Sequence, residues 1–179
     1  LHSEPTPRIG GLALFPGLVL GWLAALSWSV DALLLIGLAG VLFLLSIFDD
    51  WRGLSVVLRF SAHLVAAALL AFGLMGASPL ALAGALAIGW MTNLFNFMDG
   101  ANGLAGGMAA IGFSALGLAS SEPALAFALA GAAIGFLVFN FHPARVFLGD
   151  AGSIPLGFLA GGLGFLGAVK GEWPWWFPL

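Results

Sequence analysis

Long apolar segments follow one another along almost the whole chain, and only short polar breaks separate them. A helix needs about 20 apolar residues to cross the hydrocarbon core of a bilayer. The segments are continuous rather than alternating, which excludes a β-barrel. We therefore expect an all-α fold, a polytopic transmembrane helix bundle of about seven spans. The expected spans are roughly 10–28, 32–48, 57–74, 79–95, 101–119, 123–140 and 153–169.

The composition supports a membrane protein, because only 7% of the 179 residues are charged. Soluble domains carry about 25% charged residues. The net charge of −3 gives no reason to expect a nucleic-acid partner, and the absence of cysteine excludes disulfides. No linker or repeat divides the chain, so we expect one membrane-embedded domain over residues 1–179. The start at Leu1 and the aromatic final stretch EWPWWFPL favour a fragment of a longer polytopic protein.

The polar breaks between the expected spans fall alternately on the two sides of the membrane. The N-terminal segment and the breaks at 49–55, 96–100 and 141–152 share one side, opposite the breaks at 27–31, 76–79, 120–123 and 170–174. The first side carries most of the cations, namely Arg8, Arg52, Arg59 and Arg145. The positive-inside rule makes that side cytoplasmic. Four aspartates also fall there: Asp49, Asp50, Asp99 and Asp150.

The first acidic cluster is the pair Asp49–Asp50 at the end of the second span. Adjacent residues on a helix point about 100° apart, so both can face one partner only at a frayed end. An interfacial stop balanced by Arg52 is an equally good interpretation of the pair alone. An acid inside a span costs roughly 2.5–3.5 kcal/mol on insertion scales, so two together need water or a function.

The stretch NLFNFMDGANGLAGG, residues 93–107, contains the second cluster. Asn93, Asn96, Asp99 and Asn102 recur every third residue, which predicts a polar seam along one side of a helix. Asparagines can also simply join helices by hydrogen bonds. Carboxylate and amide oxygens are suitable ligands for Mg²⁺, so this seam could bind that ion.

Two further segments on the same side contain polar residues. NFHPARVFLGDAGS brings Asn140, His142, Arg145, Asp150 and Ser153 together, and its glycine-flanked Asp150 indicates a helix start that attracts anions. PTPRIGG, which includes Thr6 and Arg8, precedes the first span. The segment NFHPARVFLGDAGS could also be explained without any function, with Asp150 as a helix cap and His142 as a solvated side chain. In the third span, we expect His63 to be a buried, hydrogen-bonded residue.

Acids, amides and arginines beside glycine-rich segments fit metal-assisted phosphoryl transfer best. The sequence has no cysteine nucleophile, zinc cluster, P-loop or Rossmann fingerprint. The alternative is an ion-coupled secondary transporter, whose acids bind cations near the bilayer midplane on broken helices. The acids here fall at span ends on one side, which argues against transport.

Taken together, PTPRIGGLAL, FDDWRGLSVVLR, NLFNFMDGANGLAGG and NFHPARVFLGDAGSIPLGF resemble successive motifs of the polyprenyl-phosphate N-acetylhexosamine-1-phosphate transferase superfamily. The last two are more similar to the branch that starts bacterial O-antigen and exopolysaccharide chains. The resemblance implies transfer of N-acetylhexosamine 1-phosphate from a UDP-sugar to undecaprenyl phosphate with release of UMP. It also implies Mg²⁺, or Mn²⁺ in its place, and an active site on the cytoplasmic face of the bacterial inner membrane. A homodimer is compatible with such a bundle.

The resemblance also implies roles for individual residues. Asp49 would be the base acting on the lipid phosphate, with Asp50 supporting it, and Asp99 would act beside them. Asp150 and Asp99 would hold the metal. The expected substrate-binding residues are Asn93, Asn96, Asn102, Arg8 and Arg145. The chain departs from the family pattern at Asn102, where many members have an acid, and it stops before the family's His-x-His motif.

Overall fold

The computed structural model describes residues 6–25 and 28–178, and within them it has seven α-helices and no strand. They are α1 Gly11–Ala24, α2 Val30–Arg52, α3 Val56–Met75, α4 Pro79–Met98, α5 Leu104–Ala119, α6 Ala124–Asn140 and α7 Asp150–Val169. Every predicted span corresponds to one helix, so the all-α bundle is confirmed. Pro5 of the entry motif, Ser27 of the first predicted break, and both chain ends lie outside the described residues.

Four of the helices, α2, α3, α4 and α7, are long and apolar enough to cross a membrane by length and composition. The other three are also apolar but shorter, with 14 residues in α1, 16 in α5 and 17 in α6. The chain is a polytopic helical membrane bundle, and its expected seven spans comprise four full-length helices and three short ones.

Serine side chains begin three consecutive helices. Ser29, Ser55 and Ser78 lie just before α2, α3 and α4, and each hydroxyl accepts a hydrogen bond from the backbone N–H three residues later. Such caps satisfy an amide that the helix itself leaves unpaired. Gly53, at φ 69°, ends α2 in a left-handed conformation that glycine adopts at little cost.

The helix boundaries shorten several predicted breaks, among them the one at 141–152, because α7 begins at Asp150. The break at 49–55 is shorter than expected, because α2 continues to Arg52 and contains both Asp49 and Asp50 in its last turn. Likewise α4 continues to Met98, so Asn96 is helical rather than part of a break. Helical backbone satisfies its own polar groups, so polar side chains near the membrane surface do not by themselves end a helix.

Helix α7 is the centre of the bundle and packs against α1, α2, α3, α4 and α5. Its glycines let neighbouring backbones approach. A Cβ on Gly157 would lie 2.6 Å from the carbonyl oxygen of Met91 in α4, and one on Gly152 would lie 2.6 Å from the Cα of Gly11 in α1. Lipid provides no hydrophobic drive between helices, so close packing of this kind supplies much of their association.

The two ends of the bundle confirm the predicted alternation of the breaks. At one end, Lys170 Nζ lies 3.0 Å from Asp31 Oδ2 and 3.8 Å from Glu122 Oε2, and Glu172 accepts hydrogen bonds from Ser121. Desolvation acts to lower the pKa of Lys170, but the hydrogen bond and charge of Asp31, with the charges of both glutamates, outweigh it and raise that pKa. This end therefore has its own closed polar network.

The contact between Gly11 and Gly152 gives a stability prediction. A Cβ on Gly11 would overlap the backbone nitrogen of Gly152, so Gly11→Ala should force α1 away from α7 and destabilise the protein by about 1–3 kcal/mol. Gly17→Ala is the matched control, since no atom lies within 4 Å of its Cβ position on the same helix. Melting of the purified protein in detergent should show a lower midpoint for Gly11→Ala only. Equal midpoints for the two variants would contradict the contact.

Candidate active site

Asp49 and Asp150, far apart in sequence, meet at a single guanidinium nitrogen. Arg59 Nη1 donates to Asp49 Oδ2 at 2.9 Å and to Asp150 Oδ2 at 3.0 Å. The two carboxylates come from the end of α2 and the start of α7, and the arginine from the first turns of α3. Three helices thus place one cation and two anions at the same end of the bundle.

The short link between α2 and α3 holds Asp49 in place. Asp49 is 7% exposed, and its Oδ1 accepts the backbone N–H of Leu54 at 2.6 Å. Asp50 points to the exposed side of the helix but remains electrostatically coupled to Asp49, Asp150 and Arg59. The adjacent acids therefore face different surroundings, as the 100° step between helical neighbours predicts.

Asp150 is the first residue of α7, as the glycine-flanked sequence predicted. The side-chain amide of Asn96 donates to Asp150 Oδ1 at 2.9 Å and lies 3.0 Å from Ser153 Oγ. A carboxylate in the first turn of a helix is stabilised by the unpaired N–H groups and the helix dipole. Asn96 in α4 thereby fixes the orientation of the Asp150 side chain.

Asp99 binds the loop that leads into α7. Its Oδ1 accepts the N–H of Leu148 at 2.8 Å and its Oδ2 accepts the N–H of Gly149 at 2.9 Å. Asp99 as a whole residue is 7% exposed. Burial raises its pKa, while the two backbone hydrogen bonds and the charge of Arg8 oppose that shift. Asp99 therefore anchors the segment that presents Asp150.

The N-terminal segment lies along the same loop. Gly10 and Gly11 donate their N–H groups to the carbonyls of Phe147 and Leu148, both at 2.9 Å, and Phe147 donates to the carbonyl of Pro7 at 2.8 Å. A Cβ on Gly149 would overlap the carbonyl oxygen of Arg8. The first and last polar motifs of the sequence are thus paired backbone to backbone beside Asp99.

The polar seam predicted from spacing three is shorter than expected. Asn93 and Asn96 lie on α4 and Asp99 caps its end, but Asn102 lies in the turn before α5, where Gly103 adopts φ 71°. Asn102 Nδ2 lies 2.8 Å from a ring nitrogen of His142 instead. The turn takes Asn102 off the helical face, because the three-residue spacing has meaning only while the helix continues.

Two other predicted residues make contacts outside the carboxylate pair. Asn93 donates to the carbonyl of Gly89 at 2.8 Å, within its own helix. The guanidinium of Arg145 donates to the carbonyl of Val138 at 3.2 Å and lies over the ring of Phe139. The substrate-binding roles of Asn93, Asn102, Arg8 and Arg145 stay predictions.

Two residues of the site were not assigned a role from the sequence. Arg59 was counted only as a cytoplasmic-side cation, although its place in the turn after the acidic pair could have suggested a partner for Asp49. Asn140 is 1% exposed and joins two loops, accepting the N–H of Gly103 and donating to the carbonyl of Val146, both at 2.9 Å. His63 is buried as expected and has a side-chain hydrogen bond with Asn93, while its Nδ1 has no hydrogen-bond partner among the described residues.

The bidentate contact of Asp99 gives a second prediction. Asp99→Asn keeps one acceptor but directs an NH₂ donor at the other backbone N–H, leaving a buried amide unpaired at a cost of about 1–3 kcal/mol. We expect a lower melting midpoint in detergent for this variant. Asp50→Asn makes the same chemical change at an exposed position and should melt like the unaltered protein. An unchanged midpoint for Asp99→Asn would show that the loop does not depend on the carboxylate.

The chain is similar in sequence to known proteins. The model of the family described as Glycosyl transferase family 4 matches residues 32–168. The chain is 33% identical to a "Probable undecaprenyl-phosphate N-acetylglucosaminyl 1-phosphate transferase" of Bacillus subtilis (strain 168), over 95% of this chain and 54% of the relative. It is 37% identical to a "Phospho-N-acetylmuramoyl-pentapeptide-transferase" of Synechococcus sp. (strain JA-3-3Ab), over 90% of this chain and 56% of the relative.

A third relative is the "Decaprenyl-phosphate N-acetylglucosaminephosphotransferase" of Mycolicibacterium smegmatis (strain ATCC 700084 / mc(2)155), 31% identical over 90% of this chain and 50% of the relative. The chain thus spans about half the length of these curated relatives. The superfamily inferred from the four motifs is confirmed, whereas the O-antigen branch stays a prediction. Because the matching model covers most of the chain, this chain belongs to glycosyl transferase family 4.

Proposed function

We propose that this chain forms the catalytic core of a polyprenyl-phosphate sugar-1-phosphate transferase. The reaction moves N-acetylhexosamine 1-phosphate from a UDP-sugar to undecaprenyl phosphate and releases UMP. All three relatives described above are named as transferases of this kind, two of them acting on a named polyprenyl phosphate. Since the chain spans about half of each relative, the proposal concerns the protein of which these residues are part.

The observation that carries the proposal is the convergence of Asp49 and Asp150 on one point at the end of the bundle. Their oxygens lie 2.9 and 3.0 Å from the same nitrogen of Arg59. Carboxylates brought together beside a helix N-terminus suit a reaction between two phosphate groups, where charge must be neutralised and reacting oxygens aligned. A lipid phosphate and a nucleotide diphosphate can both reach this end from the membrane surface.

The donor set fits a magnesium ion. Mg²⁺ prefers oxygen ligands and is bound by one or two carboxylates together with substrate phosphates, not by a complete protein cage. Within residues 6–25 and 28–178 no group of three or more His, Cys, Asp or Glu side chains has the arrangement of a preformed metal site. Asp150 would hold the ion together with Asp49. Asp99, the second metal ligand that the resemblance implied, has both oxygens on backbone amides, and its metal role stays a prediction. When bound, Mg²⁺ or Mn²⁺ neutralises phosphate oxygens and stabilises the leaving group.

The residues of the chain have separate roles in this reaction. An oxygen of undecaprenyl phosphate attacks the phosphorus that bears the sugar, and the bond from that phosphorus to the bridging oxygen breaks to release UMP. The role of Asp49 as base, which the resemblance implies, stays a prediction, because a carboxylate that holds a cation is a weaker base. Asp50 adds negative charge beside it. Asn96 orients Asp150. Asp99 positions the loop, since both of its oxygens are occupied by backbone amides.

We further propose that the site faces the cytoplasm of a bacterial inner membrane and that the reaction starts a cell-surface polysaccharide. Arg8, Arg52, Arg59 and Arg145 lie on the side of the active site, which the positive-inside rule makes cytoplasmic. UDP-sugars are cytoplasmic metabolites, so donor and site would share a compartment. The carboxylates lie at helix ends rather than on broken helices at the midplane, which disfavours an ion-coupled transporter.

Release of UMP tests the proposed reaction. The full-length protein, purified with Mg²⁺, should release UMP from a UDP-N-acetylhexosamine only when undecaprenyl phosphate is present. The panel of donors should include UDP-N-acetylglucosamine, UDP-N-acetylgalactosamine and UDP-N-acetylmuramoyl-pentapeptide, because the relatives differ in their sugar. Absence of lipid-dependent UMP with every donor would overturn the proposal, and use of the muramoyl-pentapeptide alone would exclude the O-antigen branch.

The metal assignment predicts the behaviour of Asp150→Asn. Loss of one ligand charge should reduce turnover by more than about tenfold, since even an outer-shell partner of a metal is worth about 10–100-fold. The Mg²⁺ concentration needed for half-maximal rate should rise at the same time. Asp31→Asn is the matched control, because Asp31 pairs with Lys170 at the opposite end of the bundle. Unchanged kinetics in Asp150→Asn would remove Asp150 from the metal site.

A further inference from the structure

Arg59 occupies the position between Asp49 and Asp150 where a shared metal ion would be held. Its Nη1 is within 3.0 Å of one oxygen from each carboxylate. A guanidinium usually binds one carboxylate through two parallel hydrogen bonds. Here one guanidinium nitrogen contacts two different carboxylates instead. The guanidinium therefore acts here as a local positive charge shared by the two carboxylates.

The backbone around Arg59 is fixed, so its side chain alone can change place. The α2–α3 link is only Gly53–Ser55, Leu54 is bound to Asp49, and Ser55 caps α3 through the N–H of Leu58. The side chain of Arg59 is 33% exposed, whereas that of Asp49 is 8% exposed. The arginine can thus leave toward the open end of the bundle, while the buried aspartate stays where it is.

The charges of the site are not balanced by Arg59. Three carboxylates, Asp49, Asp50 and Asp150, interact with this one guanidinium. Like charges in a partly buried site repel more strongly than in water. Replacing the arginine by a divalent cation would add one positive charge between the carboxylates and would free the guanidinium for an anion.

We propose that Arg59 is a resident counter-ion which holds Asp49 and Asp150 together and which a divalent cation displaces, so that the guanidinium becomes available to a phosphate. This inference rests on the proposed function only in taking a divalent cation as the cofactor of the site. It makes Arg59 a competitor of the metal. A permanent clamp that merely aligned the two carboxylates would instead assist metal binding.

The two roles predict opposite signs for the effect of Arg59→Gln on metal affinity. Binding of Mn²⁺ alone, without either substrate, can be measured by the loss of the free-ion electron paramagnetic resonance signal. If Arg59 competes, Arg59→Gln should bind Mn²⁺ about tenfold more tightly than the unaltered full-length protein. Arg59→Lys keeps a competing cation and should bind within about threefold of it.

Arg52→Gln is the matched control, because it removes a positive charge from the same end of the bundle. Arg52 lies over the ring of Trp51, in the last turn of α2. This variant should leave the Mn²⁺ affinity unchanged, and a gain as large as that of Arg59→Gln would assign the effect to net charge and overturn the proposal. Equal or weaker Mn²⁺ binding by Arg59→Gln, or no binding by any variant, would also overturn it.

A thermal measurement covers the case in which Arg59→Gln folds poorly. Without metal the two carboxylates lack their counter-ion, so its melting midpoint should fall in EDTA. Mn²⁺ should raise that midpoint by more than it raises the midpoint of the unaltered protein, because a ligand stabilises in proportion to its affinity. A smaller rise would contradict the proposal. If Arg59→Gln binds Mn²⁺ more tightly as expected but the unaltered protein releases no UMP with any donor, the proposed function is rejected and the counter-ion role of Arg59 stands.

Discussion

The structure of the site depends on the hydrogen bonds between the Asp99 carboxylate and the backbone of the loop before α7. A loop at the membrane surface has no helical partner for its amides, and an unpaired buried amide is costly. Asp99, from the end of α4, accepts two such amides in succession, at Leu148 and Gly149. The next residue is Asp150. Asp99 therefore helps to set the distance between Asp49 and Asp150, and it does so through the backbone of the loop.

Close backbone packing supplies the second constraint. The entry segment pairs its amides with Phe147 and Leu148, and this is possible only because Gly11 and Gly152 bring α1 and α7 into direct contact. Side chains at these two positions would separate the helices and break the pairing. Glycines at these positions thus allow the close backbone contacts that hold the first and last polar motifs together at this end of the bundle.

The sequence predicted the fold well and the site only in part. Hydropathy identifies helices because in lipid the length and polarity of a segment decide whether it spans, and this is independent of the neighbouring helices. The alternation of the breaks then placed Asp49, Asp99 and Asp150 on one side. Spacing failed at Asn102, because α4 ends at Met98 and Asn102 lies in the turn that leads to α5. The position of Arg59 after the acidic pair could have suggested Asp49 as a partner, but no sequence pattern predicts its second contact, with Asp150 of another helix.

The two ends of the bundle use similar charges for different purposes. At the end opposite the site, Lys170 is surrounded by carboxylates, but Glu172 is also bound by the hydroxyl and amide of Ser121, so the network is complete within the protein. At the site the buried Asp49 and the helix-starting Asp150 share one exposed arginine, and Asp50 adds a further charge without a hydrogen bond of its own among the described residues. A region left with excess negative charge at a membrane surface attracts cations. The proposed exchange of Arg59 for a cation would then precede the binding of an anionic ligand, because the same exchange frees the guanidinium.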